Sequence, residues 1–125
     1  MSTILVVEDE HQLARLAELN LTAEGYQVVI YHEGRAAWTY LQDHRPDLII
    51  LDLMLPTVSG WDLLVYLRRE ERLLDVPVLA LSALARPEEK GRALAAGAAA
   101  YLVKPFSLRQ LLDLVRQLMA PAHET

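Results

Sequence analysis

Five short apolar runs are spaced along this chain, and four of them end on residues that can do chemistry. Thr3 to Val7 runs into Glu8-Asp9-Glu10, Leu48 to Leu51 into Asp52, Val78 to Leu81 into Ser82, and Tyr101 to Val103 into Lys104. Gln27 to Tyr31 is the remaining run, rich in β-branched residues. Short runs with no polar alternation read as strands covered on both faces, and a 53% hydrophobic chain suits that burial. The stretches between them carry apolar residues at helical spacing. Strands alternating with helices require right-handed crossovers and one parallel sheet. The expected fold is therefore α/β, a doubly wound (βα)5 arrangement around a five-stranded parallel sheet. In such a sheet the strand C-termini share one edge, where ligands bind. Glu8, Asp9, Asp52, Ser82 and Lys104 are thereby expected to converge.

The helical stretches show their limits in the sequence. Leu13, Leu16, Ala17 and Leu21 form one stripe, and Gly25 ends that helix. Gly34 opens the second, in which Ala37, Tyr40 and Leu41 face inward, and Pro46 is expected to stop it. Thr57-Val58-Ser59-Gly60 reads as a turn and cap before a third helix with a core stripe of Leu63, Leu64 and Leu67. Arg68 to Arg72 is expected to be a solvated end. Pro87 with Glu88 and Glu89 marks the start of the fourth helix, and Gly97 its close. Leu108, Leu111, Leu112, Val115 and Leu118 define the fifth. Residues 1–120 read as one domain and residues 121–125 as a flexible tail.

Several classes of function fall away at this stage. A chain without cysteine has no disulfide framework and no thiolate chemistry. No apolar run approaches the roughly 20 residues that span a bilayer, and no basic leader precedes one, so a cytoplasmic protein without a membrane partner is expected. A net charge of −5 disfavours direct nucleic-acid binding. His11, His32, His44 and His123 lack ligand spacing and read as solvated surface. Trp38 and Trp61 read as partial core or surface anchors.

Three carboxylates at one edge repel one another, at about 4 kcal/mol per pair for 4 Å and an effective dielectric near 20. Protonation or a bound cation relieves this. An all-oxygen cluster suits a hard cation, and Mg²⁺ in particular. With Lys104 as a second positive charge and Asp52 as an oxygen nucleophile, the set is equipped for phosphoryl transfer. Taken singly, each residue has a plainer reading. Asp52 could cap a turn, Glu8 and Asp9 could open a helix, Ser82 could be an N-cap, and Tyr101 could simply pack.

Together these residues resemble the receiver domain of two-component response regulators over essentially the whole chain. The resemblance rests on Glu8-Asp9, on Asp52 in Leu-Asp-Leu-Met-Leu-Pro, on Ser82 in Leu-Ser-Ala, and on Tyr101 with Lys104-Pro105-Phe106. It implies a flavodoxin-like receiver architecture and a phosphorylation-dependent switch rather than an enzyme of turnover. Asp52 would accept a phosphoryl group from a sensor histidine kinase or phosphotransfer protein. Glu8, Asp9, Asp52 and the Met54 carbonyl would hold Mg²⁺. Lys104 would pair with phosphoryl oxygens, Ser82 would swing to bond another, and Tyr101 would move inward. The bond before Pro105 would be cis. Leu13, Arg15, Leu16, Pro105 and Phe106 would dock the kinase, with ordinary core burial as the alternative for the leucines.

Departures from the family pattern sharpen the expectation. Met54 and Leu84 stand two residues after the acceptor and the hydroxyl, where the family tunes self-dephosphorylation, and neither can orient water. A long-lived phosphoryl group follows. The chain most resembles receivers joined to winged-helix DNA-binding domains, which dimerise through helix four, strand five and helix five. Lys90 and Arg92 keep positive charge there, yet Ala99, Ala100, Gln110 and Leu114 replace the other members of the usual ion pairs. A more apolar contact or a monomer is at least as well supported as the usual dimer. The target is a downstream protein, or an output domain following Pro121, with a stand-alone receiver favoured. The competing readings are an aspartyl-nucleophile phosphatase, which needs a general acid where Met54 stands, and a flavodoxin-like cofactor module, which needs a phosphate loop after strand one. A degenerate receiver serving as a constitutive interaction scaffold is the remaining alternative.

Overall fold

The computed structural model describes residues 1–120, and the tail expected at residues 121–125 lies outside the described residues. Its elements run β1 (Thr3–Val7), α1 (His11–Ala23), β2 (Gln27–Tyr31), α2 (Gly34–Leu41) and β3 (Leu48–Asp52). They continue with α3 (Gly60–Arg69), a 3-10 turn (Glu71–Leu73), β4 (Val78–Ser82), α4 (Pro87–Ala95), β5 (Ala100–Val103) and α5 (Leu108–Met119). The strands form one sheet in the order β2-β1-β3-β4-β5, and every pairing is parallel. This is the doubly wound five-stranded arrangement expected from the alternating pattern. The strand order reverses between β1 and β3, so a crevice opens where Glu8 and Asp9 face the end of β3.

Side-chain alternation divides the core in two. Leu5, Val7, Ile49, Leu51, Val78 and Ala80 pack under Ala37 and Leu41 of α2, Leu63, Leu64 and Leu67 of α3, and Ala93 of α4. Ile4, Val6, Leu48, Ile50, Leu79 and Leu81 pack under Ala17 and Leu21 of α1 and Leu111 and Val115 of α5. The same parity sorts the functional residues. Asp52 continues the Leu48–Ile50 series toward α1 and α5, whereas Tyr101 packs with the α2–α4 layer. Asp52 and Ser82 are themselves the last residues of β3 and β4, one residue further than the apolar runs reach.

Three local expectations are corrected. The buried stripe of α1 is Ala14, Ala17 and Leu21, while Leu13 is half-buried and Leu16 is 43% exposed. Small alanines let the helix lie close on the sheet, which rotates the leucines outward. Helix α2 ends at Leu41, before Pro46 can act. There the Arg72 guanidinium donates to the carbonyls of Leu41 and His44, satisfying acceptors that a helix end leaves open. Arg68 to Arg72 is consequently not a free solvated end. Arg68 donates to the carbonyls of Leu74 (3.0 Å) and Val76 (3.2 Å) and ties the end of α3 to the entry of β4.

Candidate functional site

Asp52 ends β3 only 3% exposed, so its charge needs partners. Its Oδ1 accepts from the Met54 N–H at 2.9 Å, and its Oδ2 accepts from Lys104 Nζ at 2.9 Å. Lys104 follows β5, where its own N–H donates to the Ser82 carbonyl at 2.8 Å and fixes where the side chain starts. The ammonium also lies 2.9 Å from Glu8 Oε1, 3.1 Å from Glu8 Oε2 and 3.6 Å from Glu10 Oε1. Glu8 follows β1 and is 1% exposed; its Oε2 accepts from the Glu10 N–H at 3.0 Å. Asp9 is exposed, and one oxygen from each of Glu8, Asp9 and Asp52 lies within 4.8 Å of the others.

One ammonium thus faces three carboxylates, with Asp9 close to two of them, and its charge does not balance the site. Burial pushes the Glu8 carboxyl up to about 7, and the Asp52 charge adds to this; the Glu10 N–H and Lys104 only partly oppose it. Lys104 shows the complement. Burial pulls its pKa down, but hydrogen bonds from the ammonium to Asp52 and Glu8 outweigh that and hold it above the ordinary lysine value. Glu8 Oε1 is buried and outside hydrogen-bond geometry with any partner among the described residues, although it lies near Lys104. A buried acceptor with spare capacity, inside an all-oxygen acidic cluster, is the donor set a hard divalent cation takes. The residues present therefore fit Mg²⁺.

Ser82 and Tyr101 meet on a third residue. The Ser82 hydroxyl is buried and accepts from the Leu84 N–H at 3.0 Å, while the Tyr101 hydroxyl donates to the Leu84 carbonyl at 2.6 Å. The peptide groups flanking Leu84 are held from both sides. Beyond β5, the Lys104–Pro105 bond is cis. Pro105 and Phe106 line a largely apolar groove of about 820 Å³ with Leu13, Leu16, Ala83 and Lys104. The groove opens beside the acidic cluster. Arg15 is not part of it; that side chain pairs with Glu18 at 3.2 Å and lines a shallow depression with Leu16 and Leu19.

Some neighbours of the site escaped sequence reasoning. His32 is half-buried, with Nδ1 3.0 Å from the Glu8 carbonyl, and its ring stacks on His11 at 3.7 Å. Solvated surface is therefore the wrong description of His32, because the turn after β2 folds it over the end of β1. Glu10, whose acidity was visible, reaches Lys104. Gly60 was legible only as a turn residue, yet a Cβ there would sit 2.1 Å from the Asp52 carbonyl oxygen. On the opposite face, the Arg92 guanidinium lies 4.0 Å over the Trp61 ring. Its charge is therefore directed toward α3.

Comparison with known proteins agrees with this geometry. Residues 4–116 match the response regulator receiver domain. The chain is 43% identical over 119 residues to the phosphate regulon transcriptional regulatory protein PhoB of Rhizobium meliloti, covering 95% of this chain and 52% of that protein. It is 42% identical over 116 residues to the transcriptional regulatory protein KdpE of Mycobacterium tuberculosis, covering 93% and 50%. The chain spans about half the length of these curated relatives. Among solved structures it is similar to the chemotaxis response regulator CheY4 of Vibrio cholerae, with a TM-score of 0.89, 30% identity, and 94% and 98% of the two chains covered. It is also similar to the receiver domain of a sensor histidine kinase from Pseudomonas aeruginosa, with a TM-score of 0.85, 30% identity, and 94% and 97% covered; that protein holds a magnesium ion in its active-site cleft. Fold, acidic cluster and sequence agree: the chain belongs to the response regulator receiver domain family.

Proposed function

We propose that residues 1–120 act as a phosphorylation-dependent signalling switch in the cytoplasm, with Asp52 as the phosphoacceptor. The observation that carries this reading is the Lys104 ammonium held 2.9 Å from Asp52 and 2.9 Å from Glu8 at the edge where β1, β3 and β5 end. An Asp52 oxygen attacks the phosphorus of a phosphohistidine on a sensor kinase or phosphotransfer protein. The bond from phosphorus to the ring nitrogen breaks, and the donor histidine, already protonated on its other ring nitrogen, leaves as neutral imidazole. Glu8, Asp9, Asp52 and the Met54 carbonyl are the groups that would hold Mg²⁺, which when bound neutralises charge on the transferring group. Lys104 supplies the fixed positive charge on the opposite side.

The same residues explain readout. A phosphoryl group on Asp52 offers new acceptor oxygens, and Ser82 swings to donate its O–H to one, moving its oxygen away from the Leu84 N–H. That exchange alters the Leu84 segment, which Tyr101 also holds. Two alternative bonding arrangements around Leu84 make a two-state element, and binding energy at Asp52 biases it. The α4–β5–α5 face is the output surface, acting on a partner protein or an attached output domain. Donor docking uses the groove lined by Leu13, Leu16, Pro105 and Phe106, with Arg15 in the separate depression that also borders Leu16. Mg²⁺ and acetyl phosphate provide the test, read by intact mass. One phosphoryl adduct on the wild type and none on Asp52→Asn supports the reading. An adduct that persists in Asp52→Asn overturns it.

A further inference from the structure

Thr57 lies in the left-handed backbone region, at φ 65°. A β-branched side chain is disfavoured there, and such outliers persist only when their surroundings enforce them. What enforces this one is the start of α2. The Thr57 hydroxyl donates to Glu33 Oε1 at 3.4 Å and accepts from the Arg35 N–H at 3.2 Å. Beside it the Gly34 N–H donates to the Pro56 carbonyl at 3.3 Å. The approach is backbone on backbone, since a Cβ on Gly34 would fall 1.7 Å from the Val58 carbonyl oxygen. The far end of the loop is equally tight. Gly60 donates its N–H to the Leu53 carbonyl at 3.1 Å, with no room for a Cβ against Asp52.

The β3–α3 loop is thus fixed at its end by Gly60 and at its middle by α2. Met54 lies between the end of β3 and the fixing at Pro56 and Thr57, and its side chain is 64% exposed and so gives little anchorage. Its N–H holds Asp52 Oδ1. We infer that Thr57 is a positioning residue for the phosphoacceptor site: its hydroxyl clasps the β3–α3 loop to the start of α2 and so sets where the Met54 carbonyl stands for Mg²⁺. This rests on the assignment of the Met54 carbonyl as a metal ligand. The strained backbone is retained because glycine, which would relax it, carries no hydroxyl to close the clasp.

The test compares wild type, Thr57→Val, Thr57→Ser and Glu33→Ala by Mg²⁺ calorimetry and by amide exchange at Met54 to Ser59 in the metal-free protein. Valine keeps shape and branching but loses both hydrogen bonds. Serine restores the hydroxyl, and alanine at 33 removes its acceptor without touching the loop. Losing the clasp is expected to weaken Mg²⁺ binding roughly 3- to 10-fold, the range for one or two exposed hydrogen bonds. Thr57→Val should show this with faster exchange across the loop, Glu33→Ala should follow in the same direction, and Thr57→Ser should stay near wild type. A lowered melting temperature with unchanged Mg²⁺ affinity makes Thr57 merely structural and overturns the inference. Equal weakening in the serine and valine variants also overturns it. Wild-type protein that binds no Mg²⁺ instead overturns the underlying site assignment.

Discussion

The Tyr101 hydroxyl donates to the Leu84 carbonyl at 2.6 Å, across the gap between β5 and the segment that follows β4. Because Ser82 accepts from the N–H of the same residue, Leu84 reports on both side chains. Tyr101→Phe removes one hydrogen bond and little else, a cost of about 1 kcal/mol. The expected result is faster amide exchange from Ala83 to Arg86 with phosphoryl uptake at Asp52 preserved. Unchanged exchange there would separate Tyr101 from the switch.

Glu8 should make Mg²⁺ binding depend on pH. In the metal-free protein its carboxyl is raised from 4.5 to about 7, so the folded state keeps a proton that the unfolded chain releases. Its contribution to metal-free stability is therefore present below about 4.5 and lost as pH rises toward 7. Mg²⁺ needs the carboxylate. Affinity should climb through pH 6 and level off above about 7, with proton release on binding that shrinks across the same interval. Calorimetry in buffers of different ionisation heat measures both. Glu8→Gln should flatten the profile, and a flat profile in the wild type would contradict the assignment.

Lys104 pairs with Glu8 and Asp52 and should compete with the metal for them. Lys104→Met leaves Glu8 and Asp52 buried without their cation, a loss of roughly 3 kcal/mol at pH 8 in the absence of Mg²⁺. Saturating Mg²⁺ should recover part of that stability, and Mg²⁺ should bind more tightly than to wild type while phosphoryl uptake slows. Weaker Mg²⁺ binding in this variant would show that Lys104 supports the metal site.

The phosphoryl group is expected to persist. Met54 and Leu84 stand two residues after Asp52 and Ser82, and neither side chain can orient a water for attack on phosphorus. Met54→Asn supplies a hydrogen-bonding group there and should shorten the lifetime by roughly tenfold. Radiolabelled adduct followed over time makes the comparison. Loss within seconds from the wild type would assign hydrolysis to other groups.

What could be read from the chain reflects the range over which each signal acts. Uniform apolar runs place the strands, and a parallel sheet gathers their ends, so Glu8, Asp52 and Lys104 were legible together. The phase of α1 was not, because Leu13 and Leu16 share helical spacing with Ala17, although it is Ala14 that is buried alongside Ala17 and Leu21. Nor was the end of α2, which depends on Arg72, 31 residues beyond Leu41. The clasp at Thr57 was hidden for the same reason, since its partner Glu33 lies 24 residues away.

Chemical trapping of the acceptor is the most direct test of the account. Borohydride reduces an aspartyl phosphate to homoserine, so protein treated with acetyl phosphate and Mg²⁺, reduced and sequenced by mass, reveals which residue was modified. Homoserine at position 52 alone, absent without Mg²⁺ and absent in Asp52→Asn, is the predicted result. Homoserine at position 9, or none anywhere in a protein that has gained a phosphoryl mass, would contradict it.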